Sequence, residues 1–231
     1  MSDALRVVLV GSTGLVGRSI MQQCIGRADV RLTGISRREI RLPQGARMEM
    51  FVADPDKWGE VIEAVRPTAL ICALGSTWQN SGQDEAAFRA VDQHLVVNTA
   101  RAARDAGVPR LVAISSAGAD PLAKNFYLKV KGEVESELTR LRFKRCDILR
   151  PGLLRGKRVD DPRGKERLAQ LAAPLTDLFL RGKMRGYRSV QADLVAAAAL
   201  GLAGRKAGGR FTHDNDGILR AAREWDKLAS D

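Results

Sequence analysis

Tyr127 and Lys131 lie four residues apart in the stretch Tyr127-Leu128-Lys129-Val130-Lys131. On a helix that spacing puts a phenol and an ammonium on one face. A free phenol, with a pKa of about 10, is a poor acid near neutrality, but a fixed neighbouring cation favours its ionised form. The pair suits acid–base work in which Tyr127 gives its proton to a carbonyl oxygen as hydride reaches the carbon, while Lys131 assists and can also hold ribose hydroxyls. Tyr-x-x-x-Lys alone is a common accident of amphipathic surface helices. Here it opens the helix that follows an apolar run at residues 111–115, and that run ends in Ser115-Ser116, where a hydroxyl can orient the same carbonyl. Ser116 is the expected partner, and a turn or a helix cap ahead of Gly118 is the plain alternative.

A second constellation is Gly11-Ser12-Thr13-Gly14-Leu15-Val16-Gly17, a G-x-x-G-x-x-G spacing between the first apolar run and the first helical stretch. Glycine lets a backbone turn tightly and approach a pyrophosphate, and a helix N-terminus offers free N–H groups and a partial positive charge. Ser12 and Thr13 can add hydroxyl donors. In this position the motif predicts a dinucleotide seat built from Gly11, Ser12, Thr13, Gly14, Leu15, Val16 and Gly17. About 20 residues on, where an acidic residue would hold the 2′-hydroxyl of NAD, the chain has Ser36-Arg37-Arg38. Two guanidinium groups suit a 2′-phosphate, so NADP(H) is the expected cofactor; solvated loop residues balanced by Glu39 are the alternative. Asp54, after the third run, can accept a hydrogen bond from an adenine amino group or cap a helix.

The elements that position these groups follow an alternation. Short apolar runs at residues 5–10, 30–35, 48–52, 69–74, 111–115 and 146–149 are separated by stretches of helical spacing, including 15–25. That pattern predicts an α/β fold, a Rossmann-like doubly wound parallel sheet with helices on both faces. Gly107-Val108-Pro109 ends a helix running over 85–106. Residues 152–190, rich in Arg, Lys, Gly and Pro with an apolar patch at 168–180, read as a small irregular substrate-side lobe. A helix over 190–203 and a last strand and helix near 210–213 and 218–228 complete one expected domain, 1–231.

Bulk composition narrows the function. With 45% hydrophobic and 28% charged residues the chain is globular rather than disordered. The start, Met1-Ser2-Asp3-Ala4-Leu5-Arg6, does not resemble a secretory signal, so a cytoplasmic protein is expected. The late apolar stretch 194–203 is too short for a membrane span, which needs roughly 20 residues. Cys24, Cys72 and Cys146 are far apart and odd in number, which predicts buried free thiols rather than disulfides or zinc. His94 and His213 do not read as metal ligands, and His213-Asp214-x-Asp216 reads as a capped helix start. No metal is expected. The formal net charge of +11 calls for an anionic partner. A dinucleotide answers part of it, and the basic segments 155–167 and 181–188 offer either a solvated face or a contact to an anionic surface or a protein. Phe179 and Tyr187 are the aromatic residues there, too few for a single-strand platform, so sequence-specific nucleic-acid binding is not expected. Trp78-Gln79-Asn80-Ser81-Gly82 either closes over a substrate or is a surface loop.

Six blocks together resemble the short-chain dehydrogenase/reductases, and within them the atypical branch of Tat-interacting, metastasis-suppressor-like oxidoreductases. They are Gly11 to Gly17, Ser36-Arg37-Arg38, Cys72-Ala73-Leu74-Gly75-Ser76-Thr77, Ser115-Ser116-Ala117-Gly118-Ala119-Asp120, the stretch from Asn125 to Glu135, and Leu149-Arg150-Pro151-Gly152-Leu153-Leu154. The resemblance implies NADPH binding, a cofactor cleft lined by Ala73, Leu74 and Gly75, a catalytic set of Ser116, Tyr127 and Lys131, and an approach of Pro151, Gly152 and Leu153 to the nicotinamide. It implies a small-molecule substrate, a carbonyl compound or quinone, without naming it. Because members of the branch also act as regulators, a non-enzymatic NADP(H)-dependent redox sensor or adaptor is the second expectation.

Overall fold

The computed structural model describes residues 4–76, 78, 81–156 and 187–230. Most of the expected substrate-side lobe, and with it the apolar patch at 168–180, lies outside the described residues. The chain opens on β1 (Leu5–Val10), α1 (Leu15–Gln23), β2 (Val30–Ser36) and β3 (Glu49–Val52). A 3-10 turn (Pro55–Lys57), α2 (Trp58–Val65) and β4 (Ala69–Cys72) follow. A long helix then runs as α3 (Glu85–Arg89), a π-helical turn (Ala90–Leu95) and α4 (Val96–Asp105). Next come β5 (Arg110–Ile114), α5 (Phe126–Arg140), β6 (Arg145–Leu149) and β7 (Leu154–Arg155). The chain closes with β8 (Val190–Gln191), α6 (Ala192–Gly204), β9 (Gly209–His213) and α7 (Asn215–Ser230).

Seven strands form one parallel sheet in the order β3-β2-β1-β4-β5-β6-β9. β1 is β-branched and leucine-rich because both its faces are buried. Val7 and Leu9 join a core with α1, α6 and α7, while Val8 and Val10 join a second core with α2, the α3–α4 helix and α5. Burying a Leu or Ile side chain as fully as Leu9 and Ile71 contributes about 1.5–3 kcal/mol relative to exposure. The expected doubly wound α/β architecture is present.

The chain builds outward from β1 to β3, then returns to place β4 on the other side of β1. Strand order therefore reverses between β1 and β4, and the crevice beyond their C-terminal ends is where ligands bind in open α/β sheets. Local signals set the helix ends. Asn125 Oδ1 accepts the Leu128 N–H at 3.1 Å to start α5, and Asp84 Oδ1 accepts the Ala87 N–H at 3.0 Å to start α3. Gly107 takes φ +80° where α4 stops ahead of Pro109. Asp214 Oδ1 accepts the Gly217 N–H at 2.8 Å, so the His213-Asp214-x-Asp216 turn is a helix start, as expected.

Several boundaries differ from the sequence reading; β4, for example, stops at Cys72 rather than 74. The helix expected over 190–203 begins at Ala192, because Val190 and Gln191 pair with Leu154 and Arg155 as a parallel ribbon. α1 stops at Gln23 rather than 25. The three cysteines are free and buried, and among the described residues no helix is long and apolar enough to cross a membrane.

Candidate active site

Gly11, directly after β1, takes φ +87°, and a Cβ placed there would lie 2.3 Å from the backbone carbonyl of Ala73, directly after β4. Only glycine lets the two strand ends approach this closely. A Cβ on Gly17 would lie 2.2 Å from the Gly11 carbonyl oxygen, so Gly17 allows α1 to seat against the turn. Gly14 precedes α1 with no side-chain cap, and the first turn of α1 carries no acidic residue, which leaves its N–H groups and positive end facing the crevice. The Ser12 hydroxyl, in a residue only 1% exposed, has no hydrogen-bond partner among the described residues. An orphaned buried donor beside a bare helix N-terminus fits a phosphate group. Thr13 is exposed, and its carbonyl accepts a hydrogen bond from Arg18 Nε at 3.2 Å. Leu15 packs on the sheet's first core and Val16 is buried in it.

At the end of β2, Ser36 is buried and donates its hydroxyl to the Arg38 carbonyl at 2.7 Å. It shapes the turn that leaves Arg37 and Arg38 exposed. Asp54 is exposed beyond β3 and does not cap the 3-10 turn that follows it.

The densest chemistry surrounds Lys131. This residue is 6% exposed, and its Nζ sits 2.7 Å from Asp92 Oδ1. Burial works against the ammonium, but the Asp92 carboxylate, with the Tyr127 phenol, outweighs it and holds Lys131 above the ordinary lysine range. The other Asp92 oxygen accepts from the Ser76 N–H at 2.8 Å and the Ser76 hydroxyl at 2.7 Å. A Cβ on Gly75 would lie 3.4 Å from Asp92 Oδ1 and 3.5 Å from Lys131 Nζ, so the segment after β4, Ala73, Leu74 and Gly75, passes directly over the pair. Lys131 Nζ is 5.8 Å from the centre of the half-buried Tyr127 ring, which packs on Phe88 at 5.6 Å. Tyr127 and Lys131 thus meet on one face of α5, as their spacing predicts.

Sequence reasoning missed Asp92. Its signal was present: it interrupts the apolar stripe Phe88, Val96, Ala100 and Ala103 with a carboxylate, inside a π-helical turn of a kind often found at functional sites. Glu135 was missed as well, although Tyr127, Lys131 and Glu135 recur every four residues along α5. Buried Glu135 accepts the Ser115 hydroxyl at 2.5 Å and Arg150 Nε at 3.0 Å. One carboxylate thereby ties the ends of β5 and β6 to the helix that carries Tyr127 and Lys131. Ser115 is engaged there, whereas the half-buried Ser116 hydroxyl reaches only the neighbouring Ala117 carbonyl at 3.3 Å. Ser116 is thus the less committed of the two serines.

Pro151 is buried, and its carbonyl accepts the Ala117 N–H at 2.8 Å, which brings the residue 116 and 151–153 loops together. Asn215, also unforeseen and with no sequence signal beyond a helix start, accepts the Gly152 N–H at 3.0 Å and donates to the Arg188 carbonyl at 2.5 Å. Leu153 is half exposed. Trp78 packs on Phe126 at 5.0 Å and Phe88 at 5.9 Å, while Gln79 and Asn80 lie outside the described residues. His94 is exposed, and His213 pairs with buried Asp147 at 2.8 Å. Among the described residues no three His, Cys, Asp or Glu side chains gather as a metal site.

Comparison with known proteins identifies the family and the fold. A family model described as NAD(P)H-binding matches residues 11–203. Protein fmp52, mitochondrial, of Aspergillus niger is 38% identical over 204 residues, covering 84% of this chain and 85% of that protein. Protein FMP52, mitochondrial, of Meyerozyma guilliermondii is 37% identical over 159 residues, 67% of each. Among solved structures, MoeE5 in complex with UDP-glucuronic acid and NAD superposes with a TM-score of 0.70 at 15% identity, covering 92% of this chain and 75% of that one. UDP-glucose 4-epimerase of Thermus thermophilus in complex with NAD gives 0.68 at 22% identity, covering 95% and 82%. Likeness at those identities concerns the fold. The names of the relatives overturn the expectation of a cytoplasmic protein, since both are called mitochondrial. That expectation rested on a start unlike a secretory signal, which bears on export and does not separate one internal compartment from another.

Proposed function

The chain belongs to the NAD(P)H-binding family, and from that premise we propose that it is an NADP(H)-dependent oxidoreductase of the short-chain dehydrogenase/reductase type that reduces a small carbonyl compound or quinone. Affiliation with the Tat-interacting branch, whose motif blocks it resembles, is part of the proposal. The observation that carries it is the buried Lys131–Asp92 pair at 2.7 Å, held beside the Tyr127 ring and beneath Gly75 at the strand-order reversal. A purely structural surface helix has no reason to bury an ammonium and a carboxylate there, because desolvating both costs several kcal/mol, on the order of what their attraction returns.

Gly11, Ser12, Thr13, Gly14, Leu15, Val16 and Gly17 would hold the pyrophosphate, Arg37 and Arg38 the 2′-phosphate, and Asp54 the adenine. Ala73, Leu74 and Gly75 would floor the cleft, with Pro151, Gly152 and Leu153 closing its nicotinamide end. Bound NADPH supplies the hydride. Turning C=O into an alcohol also consumes a proton, and the Tyr127 hydroxyl donates it to the carbonyl oxygen. The Ser116 hydroxyl donates a hydrogen bond to the same oxygen and fixes its position. Lys131 holds the ribose hydroxyls and presents its charge to the phenol, while Asp92 keeps that ammonium in place.

The test is NADPH oxidation across a panel of aldehydes, ketones and quinones. Tyr127→Phe is expected to lower turnover at least about 100-fold with little change in NADPH affinity; equal turnover would remove Tyr127 as the acid. Arg37→Ala is expected to erase a preference for NADPH over NADH, and a preference that survives the change would place the 2′-phosphate elsewhere.

A further inference from the structure

All strands of the main sheet are parallel, so their N-termini gather on one edge, together with the C-termini of the helices α1, α2, α4, α5 and α6 that lead into them. The glycine turn and the Lys131 and Glu135 clusters occupy the opposite edge. The first edge is dense in cations: Arg6 on β1, Arg66 before β4, Arg104 before β5, Arg142 and Lys144 before β6, and Arg210 on β9. All are exposed, and among the described residues none is paired with a carboxylate. Of the carboxylates nearby, Asp29 is engaged by Arg27 at 2.6 Å, Glu49 by Arg31 at 3.3 Å and Glu224 by Arg205, whereas Glu63 and Asp105, on the last turns of α2 and α4, are exposed and offset part of the charge. Crowding registers at Arg110, whose guanidinium is pushed below its ordinary range by burial and by Arg145.

Cations at helix C-termini are ordinary because they offset helix dipoles. That explanation is too small here: about half a negative charge per helix comes to ~2.5 charges over those helices. The six cations named above, less Glu63 and Asp105, still exceed that. Two of them, Arg66 and Arg142, occupy left-handed backbone (φ 49° and 55°), where glycine would cost less.

We infer that this edge docks the protein onto an anionic phospholipid surface. The inference is independent of the reductase reading. Three observations favour a bilayer over nucleic acid. Seven strand starts at a spacing of about 4.8 Å span roughly 29 Å, and helix ends on both faces of the sheet add cations on either side, so the charge forms an area rather than a stripe. No stacking platform accompanies it among the described residues, since Phe143 and Trp225 are buried and Arg145 covers the Phe211 ring at 4.3 Å. At the β1–β3 end a depression of about 740 Å³ lined by exposed Arg47 is roomy enough for a phosphate headgroup, although Arg27 and Arg31, which also line it, are held by Asp29 and Glu49. Docked this way, the opposite edge stays open to solvent.

The experiment is sedimentation of the full chain with phosphatidylcholine vesicles, with and without phosphatidylglycerol, at physiological ionic strength. Binding only to the phosphatidylglycerol vesicles, weakened by added salt, is expected. A triple variant, Arg66→Gly, Arg142→Gly and Lys144→Gln, removes three charges while relieving both left-handed positions, so it is expected to fold at least as stably as the parent. At about 1 kcal/mol per cation near an anionic surface, its partitioning should fall on the order of a hundredfold. The variant Arg37→Gln/Arg38→Gln, on the opposite edge, should bind vesicles as the parent does. Equal binding to both vesicle types, no binding to either, or full binding by the folded triple variant would overturn the inference. Displacement from the vesicles by duplex DNA or poly(U) at equal phosphate concentration would overturn it too, and would assign the edge to nucleic acid instead.

Discussion

Asp92 serves two groups at once, and its removal should be felt in both. Asp92→Asn leaves the Lys131 ammonium buried without a counter-charge, a change expected to cost about 3–5 kcal/mol of stability and to weaken NADPH binding as Lys131 loses the carboxylate that fixes it. Because the folded protein holds Lys131 above its ordinary range, the pair's contribution is fully present below the unfolded lysine pKa of about 10.4 and is lost as pH climbs through the higher folded value. Urea unfolding at a series of pH values checks both points: the parent should lose stability from this source only above about pH 10.4, and equal stability of the two proteins at pH 8 would contradict the account. Tyr127, Lys131 and the glycines were legible in the sequence because their spacing alone implies their geometry. Asp92 and Glu135 were not, since each acts through partners on other elements, Ser76 after β4 for one and Arg150 after β6 for the other.

The approach of α1 to the ends of β1 and β4 rests on atoms that are missing. Gly17→Ala would put a methyl 2.2 Å from the Gly11 carbonyl oxygen and drive the helix off the turn, at a cost of about 1–3 kcal/mol and more than about tenfold in NADPH affinity. Gly14→Ala is the contrast, because its Cβ would meet nothing closer than 3.5 Å at φ −73°, and stability close to the parent's is expected. Chemical denaturation and cofactor titration of the two variants decide the matter; equal behaviour would show that the tight seat is not what fixes the turn. The major elements could be read from the sequence because a strand buried on both faces leaves a continuous apolar run. The β7–β8 ribbon left no such trace. Two-residue strands carry no periodicity, and Val190 extends the apolar run of the following helix in sequence while its backbone pairs with Leu154.

Across the whole molecule, the thiols are withdrawn from chemistry. Burial pushes Cys24 and Cys146 up to about 12 and Cys72 to about 11, so thiolate is scarce near neutrality. A disulfide reagent at pH 8 should therefore label the native protein no faster than it unfolds and label all three cysteines in denaturant; rapid labelling of one native thiol would contradict this. The two-edged distribution of charge belongs to this scale as well and could not be read linearly, because Arg6 and Arg210 become neighbours of one surface only once the strands lie parallel. One small group near the end of the chain governs how the molecule is completed. The Asn215 amide clasps the Gly152 N–H with its oxygen and the Arg188 carbonyl with its nitrogen. Because residue 215 is made only near the end of synthesis, a chain still emerging from a ribosome lacks this tie between Gly152 and Arg188.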